Sequence, residues 1–215
     1  MIMLKITGVS QYKGKTLRID FEEGEPAFIS SEVVYDKGLA KGMTLTAAQW
    51  QEVVSANDFR RARERALYLL DYKDYSYIMM FRKLSENYPE ELCYKVCDRL
   101  AELGILNDRR FAAGLARRYM EVKHFGYFRA RHEMKLKGLS KELIDEALAP
   151  YQETESVRER LRELVEKKYL RRLEAEDGVK KVKNALVRQG YSYSDINAVL
   201  SELAEEDQND DFSGD

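Results

Sequence analysis

An internal repeat narrows the fold of this chain more than any other feature. Lys135 to Leu148 (KLKGLSKELIDEAL) aligns without a gap on Val187 to Leu200 (VRQGYSYSDINAVL), placing Gly138 and Gly190 52 residues apart. In each copy a helical stretch ends at the glycine, the residue that closes a helix most easily in the left-handed conformation. A serine follows as the next N-cap, and apolar residues stand six, nine and ten positions after the glycine: Ile144, Ala147 and Leu148, then Ile196, Val199 and Leu200. One period upstream, Lys83 to Pro89 leads into Leu92, Val96 and Leu100, with Glu86 in the glycine's place. Each junction is preceded by a basic or mixed helix and, before that, by another apolar-periodic one. The unit is a three-helix repeat present about three times. The expected fold is therefore mainly α: tandem three-helix repeats forming an elongated body in which each copy packs on its neighbours.

The first 45 residues depart from this pattern. Leu4 to Thr7 and Leu17 to Phe21 alternate apolar and polar side chains, the period of half-buried strands. Turns are signalled at Lys13-Gly14-Lys15 and Glu23-Gly24-Glu25-Pro26, a third short strand at Ala27 to Ile29, and a helical turn over Glu32 to Tyr35 ending near Gly38. Such a small β-rich segment needs something to pack on. Thr46-Ala47-Ala48-Gln49 then fits a capping box, opening a helix to about Tyr72. The expected organisation is a β-rich segment over 1–45, a linking helix and first repeat over 46–107, a second repeat over 108–153, a third over 154–204, and an acidic disordered tail over 205–215.

The 215 residues carry a net charge of only −2, but the charge is segregated. Residues 109–141 hold 10 basic side chains against 2 acidic, residues 142–157 hold 5 acidic and no basic, and residues 158–188 hold 11 basic against 6 acidic. From Glu202 to Asp215 there are 7 acidic and no basic side chains. Such asymmetry marks either separate surfaces for separate partners or simply solvated helix faces. No stretch of 18 apolar residues occurs, and Met1 to Ser10 does not read as a secretory signal. With two cysteines in all, Cys93 and Cys97, a reducing cytoplasm is the expected compartment.

In the middle repeat, Phe111, Leu115, Tyr119 and Val122 form an apolar stripe on a helix over Asp108 to Lys123, leaving Arg109, Arg110 and Arg117 off it and Arg118 at its edge. In the following helix Tyr127, Ala130 and Met134 make the apolar side, while Arg131 and Lys135 share a ridge. Lys123, Arg129 and Lys137 extend the basic surface. Arginines there suit bidentate phosphate or carboxylate contacts, and lysines act as point charges. A second basic group, Lys167, Lys168, Arg171, Arg172, Lys180, Lys181 and Lys183, is interleaved with Glu163, Glu166, Glu174 and Glu176, so intrahelical pairing competes with a binding role there. Of the 14 tyrosines most fall where repeats need packing; Tyr127 and Phe128, beside Gly126 and Arg129, are the candidates for base stacking.

No catalytic constellation stands out. There is no phosphate-binding glycine loop with its lysine and hydroxyl, and His124 and His132 make neither a zinc pair nor a triad. Cys93 and Cys97 share a helix face, as small core residues do. A non-enzymatic role without metal or cofactor is expected.

Gly104 to Ala112 (GILNDRRFA) resembles the G-[YF]-[IL]-[ND]-D-x-R-F-A signature of the RecX regulatory proteins. As in that family, Arg117-Arg118, Phe125 to Arg129 and Glu133 to Leu139 follow it. Ala66 to Leu70, Ser76 and Arg82 to Leu84 are similar to the first-repeat pattern, and the segment with Leu39-Ala40-Lys41-Gly42 to the N-terminal extension of longer members. The resemblance spans about residues 3–204. Lys73 replaces the usual arginine before the first-repeat serine, Met79-Met80 replaces the usual Glu-Leu, and the first-repeat glycine is missing. The resemblance implies a non-enzymatic regulator that binds the RecA–DNA filament along its groove and hinders ATP hydrolysis, filament growth and strand exchange. The implied partners are the RecA filament and DNA, with no membrane and a monomeric state, and the middle-repeat basic residues are the implied contacts. A general helical DNA-binding or scaffold protein acting without RecA is the alternative.

Overall fold

The computed structural model describes residues 3–212, with side chains through residue 206. The chain divides into two compact units: Met1–Lys73 with Met80–Leu103, and Asp74–Met79 with Gly104–Asp215.

The first unit opens with the antiparallel strands β1 (Met3–Lys13), β2 (Thr16–Phe21) and β3 (Ala27–Ser30), then the short helix α1 (Ser31–Asp36) and β4 (Thr44–Thr46). The sheet order is β3-β2-β1-β4. β1 is longer than the alternation around Leu4 to Thr7 announces and is interrupted by irregularities at Ile6/Gly8 and Gln11/Lys13. β4 has only Leu45 inward, too short for a period to betray it. Ile6, Ile19, Ile29, Val33, Val34, Leu39, Leu45 and Val53 form one core, sealed by the start of α2 (Ala47–Leu70). The expected capping box opens α2: Gln49 N–H donates to Thr46 Oγ1 at 3.2 Å, and Thr46 N–H donates to Gln49 Oε1 at 2.8 Å. Asn57 on α2 is buried because its Oδ1 accepts from the Ser30 N–H at 2.9 Å, tying sheet to helix. The helix α4 (Glu90–Glu102) buries Cys93, Val96, Cys97 and Leu100. Burial pushes the Cys97 thiol up to about 12, that of an inert core residue.

Between α2 and α4 lies α3 (Tyr77–Ser85), whose first residues belong to the second unit. That unit continues with α5 (Asp108–Arg117), a π-helical turn (Arg118–Val122), α6 (Tyr127–Leu136) and α7 (Lys141–Leu148). The third repeat is α8 (Thr154–Lys168), the one-turn α9 (Leu170–Leu173), α10 (Gly178–Gln189) and α11 (Tyr193–Phe212). The second and third repeats each have their own core. Ala112, Leu115, Tyr119, Met120, Ala130, Met134, Ile144 and Leu148 belong to one. Leu161, Leu164, Val182, Leu186, Ile196 and Val199 belong to the other.

Two sequence expectations are corrected. The apolar stripe on α5 does not continue to Val122, which is 71% exposed, while Met120 is buried. The cause is the π-helical turn, in which Lys123 N–H donates to Arg118 O, five residues back. The extra residue in that turn rotates the rest of the helix by roughly 100°. Secondly, α11 runs past Glu205, where a disordered tail was expected. Leu203 still packs on the third core, and Glu202 and Glu206 pair with Arg158 and Arg162 of α8. Residues 213–215, including Ser213 and Gly214, lie outside the described residues.

The second helices of the repeats meet head to tail. At the end of α10, Gly190 is left-handed (φ 96°), and its carbonyl accepts from Phe128 N–H at 3.2 Å, while Gln189 O accepts from Gly126 N–H at 2.8 Å. The negative end of α10 thus meets the positive end of α6. At the end of α6, Gly138 is left-handed (φ 79°), and Lys137 O accepts from the buried Ser76 hydroxyl at 2.5 Å; Ser76 Oγ in turn accepts from Met79 N–H at 3.1 Å. There is no room for a side chain in these joints. A Cβ on Gly126 would stand 2.2 Å from the Gly190 carbonyl atoms, and one on Gly138 would stand 2.7 Å from Ile78 Cβ. Gly178, 52 residues after Gly126, is equally constrained: its Cβ would lie 2.0 Å from Arg172 O.

Candidate nucleic-acid interface

The signature around Gly104 to Ala112 proves to be largely architectural. Gly104 takes a left-handed turn (φ 67°), and Leu106 is buried. Asn107 caps α5 by accepting from Arg110 N–H at 2.9 Å. Asp108 Oδ1 accepts from Tyr77 N–H at 2.7 Å, at the head of α3. Burial raises the Asp108 pKa, opposed by that same hydrogen bond. Arg110 turns back to donate to Ile105 O at 3.2 Å, so it stabilises the turn that precedes its own helix.

The remaining middle-repeat candidates fall into three groups. Arg109, Arg117 and Arg131 are in ion pairs. Arg109 lies 3.2 Å from Glu146 and Arg131 lies 3.6 Å from Asp145, both carboxylates on α7. The same Asp145 Oδ1 is 3.5 Å from the Tyr127 hydroxyl. Arg117 lies 3.2 Å from Glu121, which also accepts from the Tyr151 hydroxyl at 2.8 Å. Burial and that carboxylate raise the Tyr151 pKa. The acidic stretch after residue 141 thus folds back on part of the basic one, a long-range pairing that charge counting cannot anticipate. All three arginines keep much of their surface in water, so the pairs are weak and exchangeable for other anions.

A second group gathers on one aromatic ring. Phe125 stacks on Tyr119 with ring centroids 5.4 Å apart. The Arg129 guanidinium lies 4.1 Å from the Phe125 centroid, and the Lys123 ammonium lies 5.3 Å from both rings. The chain reaches this arrangement through the π-helical turn and a left-handed His124 (φ 51°), whose carbonyl accepts from the Tyr191 hydroxyl at 3.3 Å. Arg129 also donates to the side chain of Gln189 across the joint with α10. Arg129 is therefore half-buried and shared between repeats.

Arg118, Lys135 and Lys137 form the third group: among the described residues no carboxylate lies within 4 Å of them. Arg118 and Lys135 are exposed, and Lys137 is half-exposed. Phe128 is 60% exposed beside the half-buried Tyr127.

In the third repeat, intrahelical pairing occupies part of the basic group. Lys167 pairs with Glu163 at 3.0 Å, but Glu166 is taken by Arg162. Lys181 donates to Glu176 O at 3.3 Å, and Arg172 lies 5.9 Å from the Tyr169 ring centroid. Lys180 and Lys183 wall a cleft of about 550 Å³ with Asn184 and Tyr193. Lys168 and Arg171 are exposed, with no ion pair among the described residues. The residues whose role sequence reasoning missed are the crowded glycines Gly126, at the joint between α10 and α6, and Gly178, against α9 within the third repeat. Their own spacing of 52 was the available signal.

Comparison with known proteins agrees with this architecture. Residues 107–148 match the family model described as RecX, second three-helix domain, and residues 156–200 match RecX, third three-helix domain. The chain is 30% identical over 151 residues to the regulatory protein RecX of Prosthecochloris aestuarii, covering 70% of this chain and 98% of that one. It is 26% identical over 210 residues to the regulatory protein RecX of Clostridioides difficile, covering 95% and 98%. A crystal structure of a regulatory protein RecX superposes with a TM-score of 0.73 at 25% identity, covering 92% of this chain and 99% of the other. Among the described residues no helix is long and apolar enough to cross a membrane. With matching repeats, matching fold and a relative matched over nearly its whole length, the chain belongs to the RecX family of regulatory proteins.

Proposed function

We propose that this chain regulates the RecA recombinase by binding the RecA–DNA filament, hindering ATP hydrolysis, filament growth and strand exchange without chemistry of its own. It works as a monomer in the cytoplasm. The middle repeat makes the principal contact. Arg118, Lys135 and Lys137 offer free charge, and Arg109, Arg117 and Arg131 exchange their exposed carboxylate partners for phosphate or for acidic groups of RecA. Arg129 and Lys123 hold the Phe125 corner, and Arg110 holds the turn before α5. Lys167, Lys168, Arg171, Arg172, Lys180, Lys181 and Lys183 give a weaker secondary contact.

The observation that carries this reading is the survival of an unpaired basic group on the repeat that bears the family's signature, although α7 neutralises its neighbours. It is tested by measuring the affinity of the fluorescently labelled chain for preassembled RecA–single-stranded DNA filaments and for bare DNA. The expected result is a clear preference for filaments, lost when Arg118, Lys135 and Lys137 are all replaced by alanine in a protein whose circular dichroism is unchanged. Equal affinity for filament and bare DNA would point instead to the general helical DNA-binding protein.

A further inference from the structure

The arginines of α2 have two different fates. Arg60 is buried, donating to Glu32 at 2.6 Å and lying 2.8 Å from Glu64, and Arg63 lies 3.5 Å from the other oxygen of Glu32. These two hold α1 against α2. Arg61 and Arg65, one helical turn apart, are exposed, and among the described residues no carboxylate lies within 4 Å of either.

The same row continues to Tyr68 and, in the turn just after α2, to Tyr72, which are 50% and 73% exposed. Their rings form a T-shaped pair with centroids 5.0 Å apart and hydroxyls 3.1 Å apart. The Arg65 guanidinium lies 5.4 Å from the Tyr68 centroid. Core packing explains neither ring, since each residue keeps half or more of its surface in solvent. Beside this row Arg61 and Arg65 wall a cleft of about 610 Å³, with Asn87, Tyr88 and Leu92 on its other side.

We propose that this row of α2 binds single-stranded nucleic acid, with Arg61 and Arg65 on backbone phosphates in the cleft and bases stacked on Tyr68 and Tyr72. Guanidinium forks match phosphate oxygens, and exposed aromatic rings stack on any base. From Arg61 to Tyr68 the row spans about 10 Å at 1.5 Å per residue, and Tyr72 extends it in the turn just after the helix. That is the length of a few nucleotides at about 3.4 Å each. A duplex hides its base faces and leaves the tyrosines idle; an acidic protein surface is the rival occupant, since it also satisfies the arginines, and competition by polyglutamate separates the two. Asp58, half-buried one turn before Arg61, also lines the cleft and repels phosphate. It therefore ends the phosphate track at Arg61 and sets its direction toward Tyr72. This site lies in the first unit and requires neither RecA nor the middle-repeat contact.

The test is fluorescence anisotropy of a labelled oligothymidylate titrated with the full chain at low salt, without RecA. The wild type binds. Arg61→Gln with Arg65→Gln weakens binding about tenfold and makes the dependence of log affinity on log salt shallower by about 1.4. Tyr68→Leu with Tyr72→Leu weakens it about tenfold and leaves that dependence unchanged. All four side chains are exposed, so both variants fold. Three results would overturn the proposal. One is no binding by the wild type, and another is both double variants binding within twofold of it. The third is loss with the arginine pair alone, together with equal competition by polyglutamate, which would assign the row to an acidic protein.

Discussion

Replacing Gly126 by alanine is the sharpest perturbation of the repeat architecture. The added Cβ would lie 2.2 Å from both carbonyl atoms of Gly190 and 2.4 Å from Tyr191 N. All three are main-chain atoms, so no rotamer change relieves the clash, and the head of α6 must part from the tail of α10 by about an ångström. The hydrogen bonds that cross the joint, Gly126 N–H to Gln189 O at 2.8 Å and Phe128 N–H to Gly190 O at 3.2 Å, then pass out of range. Overpacking costs about 1–3 kcal/mol and each lost hydrogen bond about 1 kcal/mol, which together predict about 3 kcal/mol or more of lost stability. Gly114, in the middle of α5, is the control: nothing lies within 4 Å of its Cβ position, so Gly114→Ala gains about 0.5–1 kcal/mol from helix propensity alone. Urea unfolding followed by far-ultraviolet circular dichroism measures both. A Gly126→Ala protein within about 0.5 kcal/mol of the wild type would refute the head-to-tail joint, because the clash would then not exist in solution.

Asp108, Tyr191 and the two cysteines give further tests of the packing. Asp108→Ala strands the Tyr77 N–H at the head of α3 and costs about 1–2 kcal/mol, whereas Asp108→Asn keeps an acceptor and recovers most of it. Burial raises the Asp108 pKa, so its protonation favours folding: that stabilisation is present below the ordinary aspartate pKa and is lost as pH rises through the raised one. Wild type minus Asp108→Asn stability should therefore grow toward acid pH, as pH-dependent urea midpoints will show. Burial pushes the Tyr191 hydroxyl up to about 12, so the stabilisation of its neutral form is present below pH 10 and vanishes as pH climbs through about 12. Tyr191→Phe should flatten alkaline unfolding in that window, at the expense of the bond to His124 O. Cys93 and Cys97 should resist a thiol reagent in the native protein and react only at the rate of unfolding; fast native labelling would contradict their burial.

Local chemistry was legible in the sequence, and long-range pairing was not. The 52-residue period predicted the helical repeats, Gly138 and Gly190 take the left-handed caps their position implies, and Thr46 with Gln49 makes the capping box that spacing alone announces. Each of these depends on residues within a few positions of one another. The π-helical turn that exposes Val122 breaks the periodicity that a helix-face reading assumes. β4 contributes a single inward residue, too little for alternation to register. The basic face was visible as composition, but its division was not. That Arg109 and Arg131 face carboxylates of α7, that Arg129 lies on Phe125 and reaches Gln189, and that Arg118 and Lys135 stay free depends on helix packing across the repeat. The glycines Gly126 and Gly178 stood at the repeat period all along, but their crowding is visible only once the backbone packed against each is in place.

Whether this chain regulates RecA through the filament is decided by ATP hydrolysis of the cognate RecA on single-stranded DNA, titrated with this protein. Inhibition is expected at fewer than one chain per RecA monomer, weakened when Arg118, Lys135 and Lys137 are replaced together. Hydrolysis unchanged at concentrations where the chain visibly binds DNA would contradict it.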